Sequence, residues 1–188
     1  MTTFRFLLCI ALPLTLLGCG SRADQPAPGT PDTASPTRPV ARWSVTPVAV
    51  GTVRFGWSVA QLNAELRDTL RPTYRISDQC DFVHPAAFPA GLRLMVERDT
   101  VVRVDVDSAG IPTAEGARVG DTEAETLARY AGRVEVQPHK YTGPQGRYLI
   151  VRSPGDRLHL LIFETDGQRV ERYRAGLRPA VEYVEGCS

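Results

Sequence analysis

The sequence predicts an α+β fold in tandem repeat: a helix followed by an antiparallel β-meander, occurring twice, with one disulfide. Two internal matches carry the repeat. Gly56-Trp57-Ser58-Val59-Ala60-Gln61 is echoed 64 residues later by Gly120-Asp121-Thr122-Glu123-Ala124-Glu125. Leu94-Met95-Val96-Glu97-Arg98-Asp99 is echoed 67 residues later by Leu161-Ile162-Phe163-Glu164-Thr165-Asp166. The period is too long for a solenoid unit. A third observation sets the class: helical runs fall before groups of strand-like runs, the pattern of antiparallel α+β sheets.

Each element has a local cause. A strand at 52–55 leads into the first helix, where Ser58 and Gln61 stand at capping-box spacing. Val59, Leu62, Leu66 and Leu70 then form a helical stripe. Thr122 and Glu125 repeat the box, Ala124, Leu127, Ala128 and Ala131 repeat the stripe, and Gly132 ends it. Apolar alternation places strands at 74–76, 80–83, 92–97 and 101–106 after the first helix. The second is followed by strands at 134–136, 148–152, 158–164 and 169–174, with Asp166-Gly167 as a hairpin turn. A last strand at 180–184 leads to Cys187. The copies span about 50–108 and 113–176 of a domain at 44–188.

The N-terminus is built differently. Arg5 precedes an apolar run at 6–17 broken only by Pro13 and Thr15. That run is too short for a membrane-spanning helix, which needs about 20 residues. Charge, short apolar core and a small residue instead fit an export signal over 1–18. Leu16-Leu17-Gly18-Cys19 resembles the bacterial lipobox, with Leu17 bulkier than the usual residue there. The resemblance implies a diacylglyceryl thioether on Cys19, cleavage after Gly18 and fatty acylation (palmitate) of the new amine. Several acyl chains hold a membrane firmly where one does not. Gly20, in place of a retention aspartate, implies the outer membrane, facing the periplasm. The Pro- and Thr-rich stretch after Cys19, to residue 43, cannot bury enough apolar surface to fold and reads as a disordered tether.

Charge and cysteine content narrow the function. Without Arg5 the chain has 21 basic and 21 acidic residues, and Lys140 is its sole lysine. No basic patch suits a phosphate backbone, so nucleic acid is excluded as a partner. Cys9 leaves with the signal and Cys19 takes the lipid, so Cys80 and Cys187 remain. An exported pair is expected to oxidise. The loop closed would be about 100 residues, worth about 4–5 kcal/mol in the chain-entropy account. A reactive thiol pair or metal ligation are the alternatives, but there is no CxxC and no histidine at ligand spacing.

A lipoprotein with a Gly-x-Ser/Thr helix start and a β-meander resembles the SmpA/OmlA (BamE)-like and β-lactamase-inhibitor-protein-like group over residues 50–176. The two-copy arrangement is nearer the inhibitor-like members. The C-terminal half, including Glu185-Gly186-Cys187, also resembles lipoproteins of GC-rich proteobacteria. The resemblance implies protein binding in the periplasm, not catalysis.

No catalytic constellation stands out. Ser153 lacks the first glycine of a nucleophile elbow. Glu97 with Asp99 and Glu164 with Asp166 read as solvated turn residues rather than an acid–base pair. His84, His139 and His159 are scattered, so no metal is expected. Asp105 and Asp107 read as a solvent-facing edge without the donors of a calcium loop. The candidate binding residues are Trp57, the loop residues His139, Lys140 and Tyr141, and Arg172 and Arg174 near the last hairpin, because exposed Trp, Tyr and Arg make binding hot spots. The expected function is a non-catalytic, membrane-anchored protein-binding or envelope-scaffold module. It holds the membrane through the lipid on Cys19, engages an envelope protein, needs no cofactor and no small-molecule ligand. The alternatives are an inhibitor that inserts the 139–144 loop into an exported enzyme, and a glycan binder using Trp57 or Tyr141.

Overall fold

A computed structural model describes residues 41–74 and 79–187. The expected signal peptide, Cys19 and most of the tether lie outside the described residues, as does Ile76. Tyr74, at the start of the strand expected there, has a left-handed φ of 49° and takes no strand.

The described residues open with a three-stranded antiparallel sheet, β1 (Val45–Thr46), β2 (Ala49–Val50) and β3 (Val53–Arg54). Helix α1 (Val59–Leu66) precedes β4 (Cys80–Val83), β5 (Leu92–Glu97) and β6 (Thr100–Val106). Helix α2 (Glu123–Arg129) precedes β7 (Val134–Pro138), β8 (Arg147–Arg152), β9 (His159–Thr165) and β10 (Val170–Leu177). These seven strands form one antiparallel sheet in the order β4-β5-β6-β10-β9-β8-β7.

This corrects the expected fold class. The protein is mostly β, with two short helices among the described residues, and is not a tandem α+β repeat. The matched segments are local signals, and they do not determine how distant strands pair. β6 and β10 pair with each other, Val104 opposite Ala175, so the stretches expected as separate meanders share one sheet. As central strands both are largely buried; the apolar run of β6 permits it, and in β10 the buried Arg174 is paired with Glu164.

The helix starts do form. Ser58 Oγ accepts from the Gln61 amide at 3.2 Å while Gln61 Oε1 accepts from the Ser58 amide at 2.9 Å. Thr122 and Glu125 make the same two bonds at 3.2 and 2.9 Å. Each start is tied to the sheet, Gly56 N donating to Val101 O and Gly120 N to Val170 O, both at 2.8 Å. In α1 Val59 and Leu62 are buried, with Leu66 packed beside them. Of the stripe expected on α2 only Leu127 packs against the core: Ala124, Ala128 and Ala131 are exposed, and Thr126 is the buried residue of the helix. Tyr130, fully buried and donating to Thr113 Oγ1 at 2.7 Å, draws the Thr126–Tyr130 side inward instead.

The main core lies between one face of the large sheet and the helices and small sheet, around Leu62, Leu94, Leu149, Phe163 and Tyr173. The opposite face is crossed by the C-terminal segment. The strand expected at 180–184 is instead a 3-10 turn, Ala180–Glu182. Pro179 has no amide to extend the ladder of β10, and its carbonyl accepts from Glu182 N at 2.9 Å. From there the chain runs to Cys187, which is disulfide-bonded to Cys80 on β4 with a Cα separation of 5.5 Å. No described helix is long and apolar enough to cross a membrane.

Candidate functional site

The site begins with strand alternation. Register places Arg174 opposite Asp105, Arg172 opposite Glu164, and Glu164 opposite Tyr148. Residues facing one another across antiparallel strands share a face. Arg103, Asp105, Tyr148, Glu164, Arg172 and Arg174 therefore lie on the face that the C-terminal segment crosses.

Buried charge there is paired. Arg103 donates from Nε to Asp105 Oδ2 at 2.9 Å, and from Nη1 to the carbonyls of Ala180 and Tyr183 at 3.1 and 2.6 Å. Arg174 donates to Glu164 and, at 2.6 Å, to the carbonyl of Val181. Two arginines thus satisfy three carbonyls of the crossing segment. No buried side-chain nitrogen or oxygen lacks a partner among the described residues. Burial, then the neighbouring Arg103, pulls the Arg174 guanidinium below its ordinary range, and Glu164 opposes that.

Glu164 also accepts from His139, whose Nε2 lies 3.2 Å from Oε2. The imidazole stacks on Tyr148 with ring centroids 4.3 Å apart. Its Nδ1 accepts from the amides of Tyr141 and Thr142 at 3.1 and 3.0 Å. His139 is therefore the root of the β7–β8 loop. It fixes the backbone of the two residues that follow Lys140, and burial first of all raises the Tyr148 hydroxyl above its usual range.

The loop carries an exposed patch. Tyr141 is 57% exposed, and its hydroxyl donates to Glu185 of the C-terminal segment. The Lys140 ammonium sits 5.0 Å from the Tyr141 ring centroid and 3.6 Å from Glu185 Oε1. The Tyr141 oxygen and then Glu185 raise Lys140 above its ordinary value. A cleft of about 560 Å³ adjoins the patch, walled by Lys140, Glu185, Tyr183, Glu97 and Arg98, with Cys80 and Cys187 lining it as well.

The expected binding residues therefore divide. Lys140 and Tyr141 are exposed together, and Arg172 reaches solvent while pairing with Glu164 at 3.4 Å. His139 and Arg174 are buried supports, and Trp57 packs against the core beside α1 rather than standing free. Two readings of acidic residues are corrected. Glu164 is not a solvated turn residue but a 5%-exposed ion-pair centre, because β9 is an interior strand. Asp105 is not on a solvent-facing edge, because β6 is central and Arg103 grips it.

Asp166 is a turn residue, its carboxylate accepting from the amides of Gln168 and Arg169 at 2.7 Å. His84 and His159 are held locally, by Pro89 O at 3.3 Å and by Asp156 at 2.9 Å. No group of three or more metal-ligating side chains gathers among the described residues. Sequence reasoning missed Arg103, Tyr148 and Glu185. A signal existed for Arg103, since Val101-Val102-Arg103-Val104 embeds a charge in a run too apolar to be an edge strand.

Comparison of the chain with protein-family models, with curated proteins and with solved structures found no match.

Proposed function

We propose that the protein is a lipid-anchored binding module of the bacterial cell envelope, which engages an envelope protein through the Lys140–Tyr141–Glu185 patch. The observation that carries this reading is the preorganisation of that patch. An exposed aromatic ring is held by its hydroxyl, by a cation over its face and by two backbone bonds to a buried histidine. A side chain ordered before binding loses less entropy when it binds, and Tyr is among the residues that dominate interface energetics. The lipobox at Leu16 to Cys19 supplies the anchor in this reading, facing the periplasm from the outer membrane, and the proline-rich stretch supplies reach. No catalytic role is assigned.

A second reading uses the same loop, as a plug for the active site of an exported hydrolase. The bonds from His139 favour it, since an inhibitory loop works by being rigid. The test replaces Tyr141 in cells with a photo-crosslinking amino acid. One discrete envelope-protein adduct, lost when Lys140 is changed to Glu, is the expected result. A lane without adducts, together with flat activity curves against β-lactamase, protease and lysozyme, removes both readings.

A further inference from the structure

We propose that β7 is a self-recognition edge: two copies of the chain join their seven-stranded sheets by pairing β7 antiparallel with β7 of the second copy, about a two-fold axis at Val136. Nothing in this pairing uses the Tyr141 patch, so it goes beyond the binding reading and does not rest on it.

The outer strands of the sheet are β4 and β7, and they differ. Beside β4 the preceding chain is bonded on, the amides of Thr73 and Tyr74 donating to the Asp81 carboxylate at 2.6 and 3.3 Å. β7 has no such cover: Glu135, Val136, Gln137 and Pro138 are all exposed.

The ladder to β8 fixes which backbone groups of β7 are free. Register sets Glu135 opposite Ile150 and Gln137 opposite Tyr148. The same register continues at both ends, Arg152 N donating to Arg133 O and His139 N to Gly146 O, each at 2.9 Å. Residues that exchange hydrogen bonds alternate along an antiparallel pair. Residues 133, 135, 137 and 139 therefore turn their backbone groups to β8, and Val134, Val136 and Pro138 turn theirs outward. No described residue bonds to the outward amides of Val134 and Val136. Pro138, which has no amide, stands where an edge strand tolerates proline, with that side facing out.

An open edge is a template for another strand, and the composition of β7 selects a second copy of itself. One antiparallel register overlaps all five residues of the strand, setting Val136 against its own equivalent and Val134 against the second copy's Pro138. The outward groups then meet. The two Val136 residues exchange a pair of hydrogen bonds, and each Val134 amide donates to a Pro138 carbonyl. The amide that Pro138 lacks is missed only at the rim, where Val134 O keeps water.

The side chains match as well. Val134 and Val136 lie opposite Val151 and Leu149 on the core face, and Val136 is 47% exposed where the core reaches the edge. Pairing lays it on the second copy's Val136 and carries the apolar layer across the joint. On the other face Glu135 meets the second copy's Gln137. Gln137 Nε2 donates to Glu135 of its own strand at 2.6 Å and has a second N–H to give. Moving the axis to Glu135 would set two carboxylates against each other, which sheets penalise. Moving it to Gln137 would set Val136 against Pro138, which cannot return a bond.

Cysteines placed along β7 of the full chain test the register. Equivalent Val136 Cα atoms would be about 5.5 Å apart, within the span of a disulfide, whereas equivalent Val134 atoms would be more than about 13 Å apart. On non-reducing gels of oxidised cells, V136C is expected to give a covalent dimer beyond that of the parent chain, and V134C is not. V136P keeps every bond of β7 to β8 and loses only the outward amide. Its thermal midpoint should hold, while self-association of the purified full chain in density-matched detergent, followed by sedimentation, should weaken about thirtyfold, the worth of two hydrogen bonds. Q137E, which sets like charges opposite each other, should weaken it too. A parent chain that is monomeric at every concentration overturns the pairing, as does association that V136P leaves unchanged. If V136P fails to fold, the cysteine scan decides: a V136C dimer no stronger than that of V134C or E135C overturns the register. Linkage of V136C to a different protein in place of itself overturns the second copy as occupant and gives the edge to a foreign strand.

Discussion

His139 Nε2 lies 3.2 Å from Glu164 Oε2, and this one contact joins the exposed loop to the buried charges of the sheet. Because two amides donate to Nδ1, that nitrogen carries no proton and Nε2 is the donor. His139→Phe keeps the ring on Tyr148 but removes every hydrogen bond. It should cost about 1–3 kcal/mol, the range for leaving buried polar partners unsatisfied. It should also free the amides of Tyr141 and Thr142. Denaturant midpoints and hydrogen exchange on the loop measure both; unchanged protection at the two amides would falsify the anchoring role.

Glu164 is the more sensitive position. It accepts from Arg174 and His139 and lies 3.4 Å from Arg172, in a pocket where the Arg174 side chain is 4% exposed. Removing one partner of a buried pair strands the other charge, at about 3–5 kcal/mol. Glu164→Leu should therefore lose that much stability. The double change of Glu164 to Leu with Arg174 to Met should lose clearly less, since neither change then leaves the other charge of the pair buried and unpaired. Equal losses in urea titrations of the two variants would show that shape rather than charge matters there.

The contrast between Glu164 and Asp166 shows where the sequence was legible. Both stand in the same matched run. Asp166 behaves as its turn chemistry predicts because an Asx turn involves only neighbours. Glu164 does not, because its environment depends on β10 and β8 lying on either side and on a C-terminal segment closing the face. Capping at Ser58 and Thr122, the Asp166-Gly167 hairpin and the Cys80–Cys187 pair were readable for the same reason: each follows from local chemistry or from the count of cysteines. The pairing of β6 with β10 was not, since nothing in the run 101–106 names its neighbour. The same gap hid the site. Lys140 and Tyr141 stood out as residue types, whereas Glu185, which completes the patch, is distant in sequence and ordinary in context.

Alkaline pH should unfold the protein through its buried tyrosines. Burial, more than any neighbouring charge, raises the Tyr130, Tyr148 and Tyr173 hydroxyls above their ordinary value of about 10. A folded state that holds these protons more tightly keeps their contribution intact below about pH 10 and loses it as pH rises through the folded values. Tyr173→Phe removes the titrating group at the cost of its bond to Ile111 O at 2.9 Å. That variant should be less stable at pH 7 yet lose less between pH 9 and 12. Parallel stability curves for variant and parent would exclude Tyr173 as a source of the alkaline loss.

Changes in the patch should separate binding from folding. Lys140, Glu185 and Tyr141 are all more than half exposed. Surface substitutions without buried partners usually stay within about 0.5 kcal/mol, so Tyr141→Ala and Lys140→Ala should leave the thermal midpoint nearly unchanged. A hot-spot aromatic costs about 2 kcal/mol or more in binding when truncated, about a thirtyfold loss of affinity. Glu185→Gln is the finer probe, because its amide oxygen still accepts from Tyr141 while the charge facing Lys140 is gone. If the patch acts by holding Tyr141 in place, Glu185→Gln should retain most of the affinity that Tyr141→Ala loses. If Glu185→Gln instead weakens crosslinking at Tyr141 as much as Tyr141→Ala weakens binding, the carboxylate itself meets the partner, and the tyrosine is its support.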